Sequence, residues 1–177
     1  MKFFLFGLIV LAILTALHFY RGRVWTGSAD HSTSARKVAD VHDIAVKLDI
    51  NAKPSLFILL SADGSINRSG SGTSENKNPD LFIGLTDPAI FKAVRSHLTE
   101  VMLQRVGQTF PHQNARGAPC KLTLMFQFND GTSGGSVYLY GADSEGPPSD
   151  VVGFVTAALR ETDSWYQRQL RMVSGGG

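Results

Sequence analysis

The chain has very little of the chemistry that identifies most enzymes. Its 177 residues include one cysteine, Cys120, so no intrachain disulfide can form. Its five histidines are too scattered for a metal-binding signature. None of its glycine-rich segments has the spacing of a phosphate-binding loop. We therefore expect no metal and no cofactor. The sequence does not indicate a class of substrate.

Most of the chain also lacks a surplus of positive charge. The formal net charge is +2, but Lys2, Arg21 and Arg23 all flank an N-terminal apolar run. Outside that run, acidic residues slightly outnumber basic ones. A protein that binds nucleic acid is expected to carry a basic surplus gathered on one face. We therefore expect no nucleic-acid partner.

The longest apolar run extends from Phe3 to Tyr20. As a helix it would be roughly 27 Å long, close to the roughly 30 Å thickness of the hydrocarbon core of a bilayer. A cleavable signal peptide needs small residues soon after its apolar core, whereas the best pair here, Gly27 and Ala29, lies too far along. We favour an uncleaved transmembrane anchor in residues 1–23; the alternative is a signal peptide that is removed.

Aromatic and basic residues flank the run, as is typical of a membrane interface: Lys2, Tyr20, Arg21, Arg23 and Trp25. The basic residues are almost evenly divided between the two sides. Long C-terminal domains cross the membrane largely regardless of charge, so we expect the rest of the chain on the periplasmic or extracellular side. The expected partners are the lipid bilayer and a protein of the membrane or envelope.

Residues 24–37 are small and polar and are expected to be a spacer, followed by one α+β domain at 38–173 and a flexible tail at 174–177. The first half predicts strands near 44–50, 56–60 and 81–85, with a hairpin turn at Asp63 and Gly64. Asp87 and Pro88 begin a predicted helix that ends near Val106, before Gly107.

The second half repeats this order. Large apolar residues occupy every even position from Leu122 to Phe128, which predicts a half-buried strand. A turn follows at 129–131, then a partner strand at 137–140 and a last helix that begins at Ser149. Two ββα units of this kind predict a small antiparallel sheet with two helices packed on one face.

Two features of the second half are candidates for partner binding. Tyr138 and Tyr140 lie on one face of their strand, and they project outward together if the other face, Val137 and Leu139, is core. The other interpretation is that helices cover the tyrosines. A stiff loop at 144–148 includes Glu145 and Pro147, and such loops often carry binding residues.

The predicted function is a noncatalytic, membrane-anchored binding or scaffold domain. The alternative is a membrane-anchored hydrolase that uses Cys120 or a carboxylate that the sequence does not identify. His97 or His112 could act as the base for Cys120, but no third residue or local motif accompanies them. Cys120 begins a strand and is more simply explained as a small apolar residue.

Overall fold

The computed structural model describes residues 36–75, 80–112 and 114–174. The anchor predicted at 1–23, nearly all of the spacer and the last three residues of the tail lie outside these ranges. Within them, no helix is both long enough and apolar enough to cross a bilayer.

The described residues form a seven-stranded sheet and three helices, which confirms the α+β class. The strands are β1 (Val41–Ile50), β2 (Lys53–Ser61), β3 (Ser65–Ser69), β4 (Phe82–Leu85), β5 (Thr109–Pro111), β6 (Pro119–Phe128) and β7 (Ser133–Gly141). The helices are α1 (Pro88–Arg95), α2 (Glu100–Gln104) and α3 (Ser149–Ser174). A 3-10 turn, Val38–Asp40, precedes β1.

The strand order in the sheet is β4-β3-β2-β1-β6-β7-β5. The β1–β2 and β6–β7 hairpins lie side by side because β1 pairs antiparallel with β6. All neighbouring strands are antiparallel except β5 and β7, which are parallel. The sequence predicts a loop where β5 occurs, so this edge strand is a correction to the expected topology.

The core lies on one face of the sheet. In the central strands, Ile44 pairs with Phe126 and Val46 with Leu124, and all four side chains are at most 1% exposed. The helices contribute to the same buried cluster through Phe91, Val94, Met102, Leu103 and Phe154. The alternating even positions of β6 therefore point toward the helices, as expected. Lys47 and Lys121, at odd positions, are exposed on the other face.

The helix predicted from Pro88 to about Val106 is interrupted. Asp87 caps α1 as expected, because its side chain accepts a hydrogen bond from the Ala89 backbone N–H at 2.8 Å. Thr99 then begins a second short helix, with its hydroxyl accepting from the Met102 N–H at 3.2 Å. In this second helix Met102 and Leu103 are buried, whereas Val101 is 50% exposed.

Helix α3 crosses the sheet from one edge toward the other. The Phe154 ring lies edge-on to Phe126 of β6, with the ring centroids 6.3 Å apart. Thr162 meets Arg68 of β3, and Trp165 reaches β4, where its indole N–H donates to the Leu85 carbonyl at 3.0 Å. Residues near the start of α3 therefore lie by β6 and β7, and its last turns lie beyond β4.

Different residues lie at the two ends of the central strands. At the start of β1, Val41 pairs with Phe128, and the Arg36 guanidinium lies 4.9 Å from the Phe128 ring centroid. At its end, Ile50 pairs with Cys120, which in turn pairs with Tyr140. Tyr140 therefore lies at the opposite end of the strands from the point where the chain enters the sheet. The ten residues of β1 correspond to roughly 30 Å along the strand direction.

Candidate functional site

The two candidate tyrosines lie on the helix-covered face of the sheet. Tyr138 pairs with Leu122 and Tyr140 with Cys120, and both partners belong to the core face of β6. Leu139, on the other face, is 38% exposed. Of the two interpretations of this strand, the burial therefore agrees with the one in which helices cover the tyrosines, and Val137 and Leu139 are not the core side. Tyr138 is only 2% exposed, whereas Tyr140 is half-buried.

A shallow groove opens at this edge of the sheet, where β5, β7 and the loop before α3 meet. Its volume is about 140 Å³. Aromatic rings, prolines and one imidazole dominate its lining: Phe110, Tyr138, Tyr140, Pro111, Pro147, Pro148 and His112, with Leu139 and Gly146 completing it. We call this surface the β5–β7 groove. It brings together three of the four residues predicted for partner binding: Tyr138, Tyr140 and Pro147.

The parallel pairing of β5 with β7 builds the inner wall of the groove. Phe110 pairs with Tyr138 in register, and the two rings stack with their centroids 5.0 Å apart and their planes 12° apart. The His112 backbone N–H donates to the Leu139 carbonyl at 2.8 Å and continues the pairing beyond β5. The wall is therefore a pair of stacked rings positioned by strand pairing.

The prolines form the opposite side of the groove. A hydrogen bond from the Ser144 hydroxyl to the Gly141 carbonyl, 2.8 Å long, closes the turn after β7. Pro147 and Pro148 then lead directly into α3. Because proline rings fix the backbone φ angle, this side of the groove is also stiff. Glu145, the fourth predicted residue, is exposed beside the lining residue Gly146 but does not itself line the groove.

His112 supplies the one imidazole in the groove. Its Nδ1 accepts a hydrogen bond from the Asn114 backbone N–H at 3.3 Å, which requires that Nδ1 carry no proton. In the neutral side chain the proton then lies on Nε2, and this N–H is available to donate to a ligand.

Behind the groove, an ion pair joins α3 to the segment after α2. Two hydrogen bonds, 3.0 and 2.9 Å long, run from the Arg105 guanidinium to the Asp150 carboxylate. Burial by itself would lower the pKa of Arg105, but Asp150 and the neighbouring Tyr138 favour the charged form, and the net effect is a raised pKa. The buried Tyr138 hydroxyl makes no well-formed hydrogen bond within the described residues.

Cys120 is not activated by its surroundings. Its thiol donates to the Ala118 carbonyl at 3.5 Å, and burial raises the pKa of the thiol. Burial, followed by the nearby Cys120, likewise raises the pKa of the Tyr140 hydroxyl. Both groups therefore favour their protonated, less nucleophilic forms at neutral pH. No hydrogen bond joins Cys120 to His97 or His112 in the described part of the chain.

A second polar cluster lies at the opposite edge and is closed to ligands. The Arg68 side chain, 2% exposed, donates to the Thr162 hydroxyl at 2.7 Å and to the Leu159 carbonyl at 3.2 Å. Its guanidinium also stacks on the Tyr166 ring, 4.5 Å from the centroid. Burial lowers the pKa of Arg68, against the favourable charge of Asp163. Helix α3 thus covers the Arg68 guanidinium, while Asp163 at the margin of the cluster is exposed.

Other chemistry is sparse in the residues that the structure describes. Nowhere in these ranges do three or more His, Cys, Asp or Glu side chains cluster in a way that could hold a metal ion. The chain matches no protein-family model, no curated protein sequence and no solved structure. A functional site is therefore inferred from the positions and chemistry of the described residues alone.

The sequence analysis did not identify the β5 side of this groove. Phe110, Pro111 and His112 line it, but the segment 110–119 reads as a loop. A three-residue strand is too short to show a period of two, so no pattern marks Phe110 as paired. The one usable signal was the concentration of rings and prolines around positions 110–112 and 147–148.

Proposed function

We propose that residues 36–174 form a noncatalytic binding or scaffold domain, held at a membrane by residues 1–23, and that the β5–β7 groove contacts its partner. One observation carries this proposal. Three separate segments, at 110–112, 138–140 and 146–148, converge on one open surface made of rings and prolines. Rigid aromatic surface of this kind offers large contact area with little side-chain entropy to lose on binding.

The size of the groove favours a protein partner over a small cofactor. Pockets for drug-sized molecules and cofactors usually have volumes of roughly 300 to 1,000 Å³. The β5–β7 groove, at about 140 Å³, is close to the roughly 150 Å³ cavity that holds one benzene ring. It therefore suits a single side chain of a larger partner.

The chemistry of the groove favours binding over hydrolysis. Cys120 has its thiol bonded to a backbone carbonyl and its pKa raised by burial, so little thiolate is available as a nucleophile. Glu145 is exposed and forms no ion pair among the described residues. No side chain therefore holds this carboxylate in a fixed position, as a catalytic acid or base requires.

Photocrosslinking from the groove tests this function. A benzophenone amino acid at Gly146 would be tolerated, because a Cβ there meets no heavy atom within 4 Å. In native membranes we expect protein adducts from Gly146 and few from exposed Lys92, which lies in α1, the helix whose Arg95 donates to the Val41 carbonyl at the start of β1. Cys120→Ala should leave the adducts unchanged. Equal adduct yields from Gly146 and Lys92 would contradict the proposal.

The membrane anchor needs a separate test. If residues 1–23 remain in the mature protein, alkaline carbonate should not extract it from membranes, because an apolar helix of this length stays inserted. A deletion of residues 1–23 serves as the control and should appear in the soluble fraction. A mature N-terminus near residue 30 would show instead that the segment is a removed signal.

A further inference from the structure

The apolar face of α3 that packs on the sheet continues beyond the sheet. Trp165 and Tyr166 are each 3% exposed where α3 crosses β4. Met172 and Val173 follow these two residues by seven positions each, so they lie on the same face of the helix, yet they are 62% and 63% exposed. Seven residues correspond to about 10 Å of helix, which is the width of about two strands. The end of α3 therefore extends over space that no strand of the described ranges fills.

The strand below this end, β4, has an unpaired outer edge. Among the described strands, β4 pairs only with β3. The Thr86 N–H donates to the Gly64 carbonyl at 2.8 Å, and opposed residues of an antiparallel pair alternate between bonded and non-bonded positions. The backbone groups of Ile83 and Leu85 therefore point away from β3. Trp165 occupies one lone pair of the Leu85 carbonyl, and the second lone pair is available to a further donor.

The side chains of this edge are apolar. Leu81, Ile83 and Leu85 alternate along the chain and are 50%, 63% and 74% exposed. Edge strands are commonly protected by charged residues or proline, whereas Phe82–Leu85 contains neither. With Met172 and Val173, five of the eight large apolar side chains that are exposed in the described residues lie at the β4 edge. This edge therefore has the composition of a strand that another strand covers.

We propose that β4 pairs antiparallel with β4 of a second copy of this chain about a two-fold axis, so that the two seven-stranded sheets become continuous. A strand that pairs with its own copy must not oppose like charges, and Phe82–Leu85 carries no charge. The end of each α3 then extends over β4 of the other copy. One symmetric contact therefore covers the backbone edge, the exposed strand side chains and the end of the helix.

The two helix ends determine the register of this pairing. Both α3 helices lie on the same face of the joined sheet and run antiparallel, so they pass side by side. Packed helices are roughly 8 to 10 Å apart, which places the axis about 4 to 5 Å, or one to two residues, from the point where α3 crosses β4. That point lies between Phe82 and Gly84. Displacement toward Leu85 pairs Ile83 with Leu85 of the other copy. Displacement the other way opposes Ile83 to Pro79, which has no N–H to donate.

The contact has the size of a weak specific dimer. A fully exposed leucine side chain offers roughly 120 Å² of apolar surface. At their observed exposures, the five side chains together offer roughly 400 Å² in each copy. With the backbone edge included, two copies would bury on the order of 1,000 Å², which is the lower limit for a specific interface. Confinement of both copies to a membrane would raise their effective concentration and strengthen the pairing.

The dimer goes beyond the proposed function and does not depend on it. A two-fold contact between identical surfaces is closed, so it stops at two copies. The β5–β7 groove lies at the opposite edge of the sheet from β4. The two grooves of a dimer are therefore left open at the two far ends of a 14-stranded sheet, where they would allow bivalent binding.

Disulfide trapping with the full-length chain in membranes tests the pairing. One copy carries Ile83→Cys and a second, differently tagged copy carries Leu85→Cys, both in a Cys120→Ala background. Bonded positions of an antiparallel pair have Cα atoms about 5.5 Å apart, so mild oxidation should join the two tags. The matched control pairs Ile83→Cys with Val152→Cys, which is 47% exposed near the start of α3, and should give at least about tenfold less product. Equal yields from the two pairs would overturn the inference.

Charge at the same positions provides the specific readout. Ile83→Lys with Leu85→Lys opposes lysine to lysine in a dimer of like copies, and Ile83→Glu with Leu85→Glu opposes glutamate to glutamate. Either double variant alone should lose energy transfer between donor- and acceptor-labelled copies at least about fivefold in phosphatidylcholine vesicles. A mixture of the two should restore it. Labels are attached at Lys92→Cys in the Cys120→Ala background, and circular dichroism checks the fold. Loss without restoration would contradict the pairing.

The same vesicles distinguish other occupants of the β4 edge. If another part of the same chain or a different protein covers this edge, the purified chain with Ile83 and Leu85 unchanged should show no energy transfer, which would overturn the inference. The Gly146 photoadducts probe the opposite edge and should persist in Ile83→Lys with Leu85→Lys. Failure of the dimer would therefore leave the proposed function of the groove intact.

Discussion

The two edges of the sheet differ in how their polar groups are satisfied. At the β4 edge, α3 covers one face of the strand: Trp165 donates to the Leu85 carbonyl, and the Tyr166 hydroxyl accepts from the Gly70 N–H at 3.1 Å. The other face of β4 exposes Ile83 and Leu85. At the β5 edge, Phe110 and Tyr140 are only half-buried, and the Tyr138 hydroxyl lacks a well-formed hydrogen bond. At the first edge, hydrogen bonds from side chains of α3 hold the strand in place. At the second, the Phe110 and Tyr140 rings are left half-buried beside the groove.

The largest expected difference between the edges concerns Trp165 and Pro147. Trp165 is 3% exposed and packs on Gly84, so Trp165→Ala should lower the free energy of unfolding by about 3 to 5 kcal/mol. Pro147 is half-buried at the groove, and Pro147→Ala should cost about 1 kcal/mol or less. Denaturant unfolding of the full chain, followed by circular dichroism, measures both. Similar costs would remove the distinction between the edges.

Three tyrosine-to-phenylalanine changes sharpen the comparison. Tyr166→Phe leaves the Gly70 N–H without its acceptor in a buried place and should cost about 1 to 3 kcal/mol of unfolding free energy. Tyr140→Phe, at the groove, should have little effect. Tyr138→Phe should be neutral or stabilising, because it removes a buried hydroxyl without a good partner. The same unfolding measurement should give that order, and a large loss in Tyr138→Phe would contradict our description.

The smallest expected effect appears at alkaline pH. Because the pKa values of Cys120 and Tyr140 are raised in the folded state, the unfolded chain releases these protons first. Their contribution to stability is complete below about pH 9 and is lost as pH rises through the folded pKa values. The melting temperature of Cys120→Ala should therefore fall less between pH 8 and 11 than that of the unchanged chain. Parallel pH curves would show that the thiol is well solvated.

The sequence was most informative where one face of an element is apolar and the other polar. The alternation from Leu122 to Phe128 predicts both the strand β6 and the face that it buries. Strand β7 has no such contrast, because Val137, Tyr138, Leu139 and Tyr140 are all apolar or aromatic. Its register against β6, with Leu122 beside Tyr138, determines which side is covered, and register is a property of the assembled sheet.

The candidate site was predictable only in part for a related reason. Tyr138, Tyr140 and Pro147 lie close together in the sequence and attract notice as a group. Phe110 lies 28 residues before Tyr138, and their contact depends on a parallel pairing of three residues. A strand this short shows no periodic pattern in the sequence. Because parallel strands are not joined by a hairpin, no turn motif marks their pairing either. The aromatic stack in the groove is therefore visible only in the folded chain.

The position of β1 has a mechanical consequence. The chain enters the sheet at β1, a central strand, and the β5–β7 groove lies at the far end of the sheet from that entry. If the N-terminus is held in a membrane and a partner holds the groove, tension runs along the strands. The ladders of β1 with β2 and β6 then share the load in shear, so many hydrogen bonds must break together. Resistance of this kind depends on the barrier to unfolding rather than on the equilibrium free energy of unfolding.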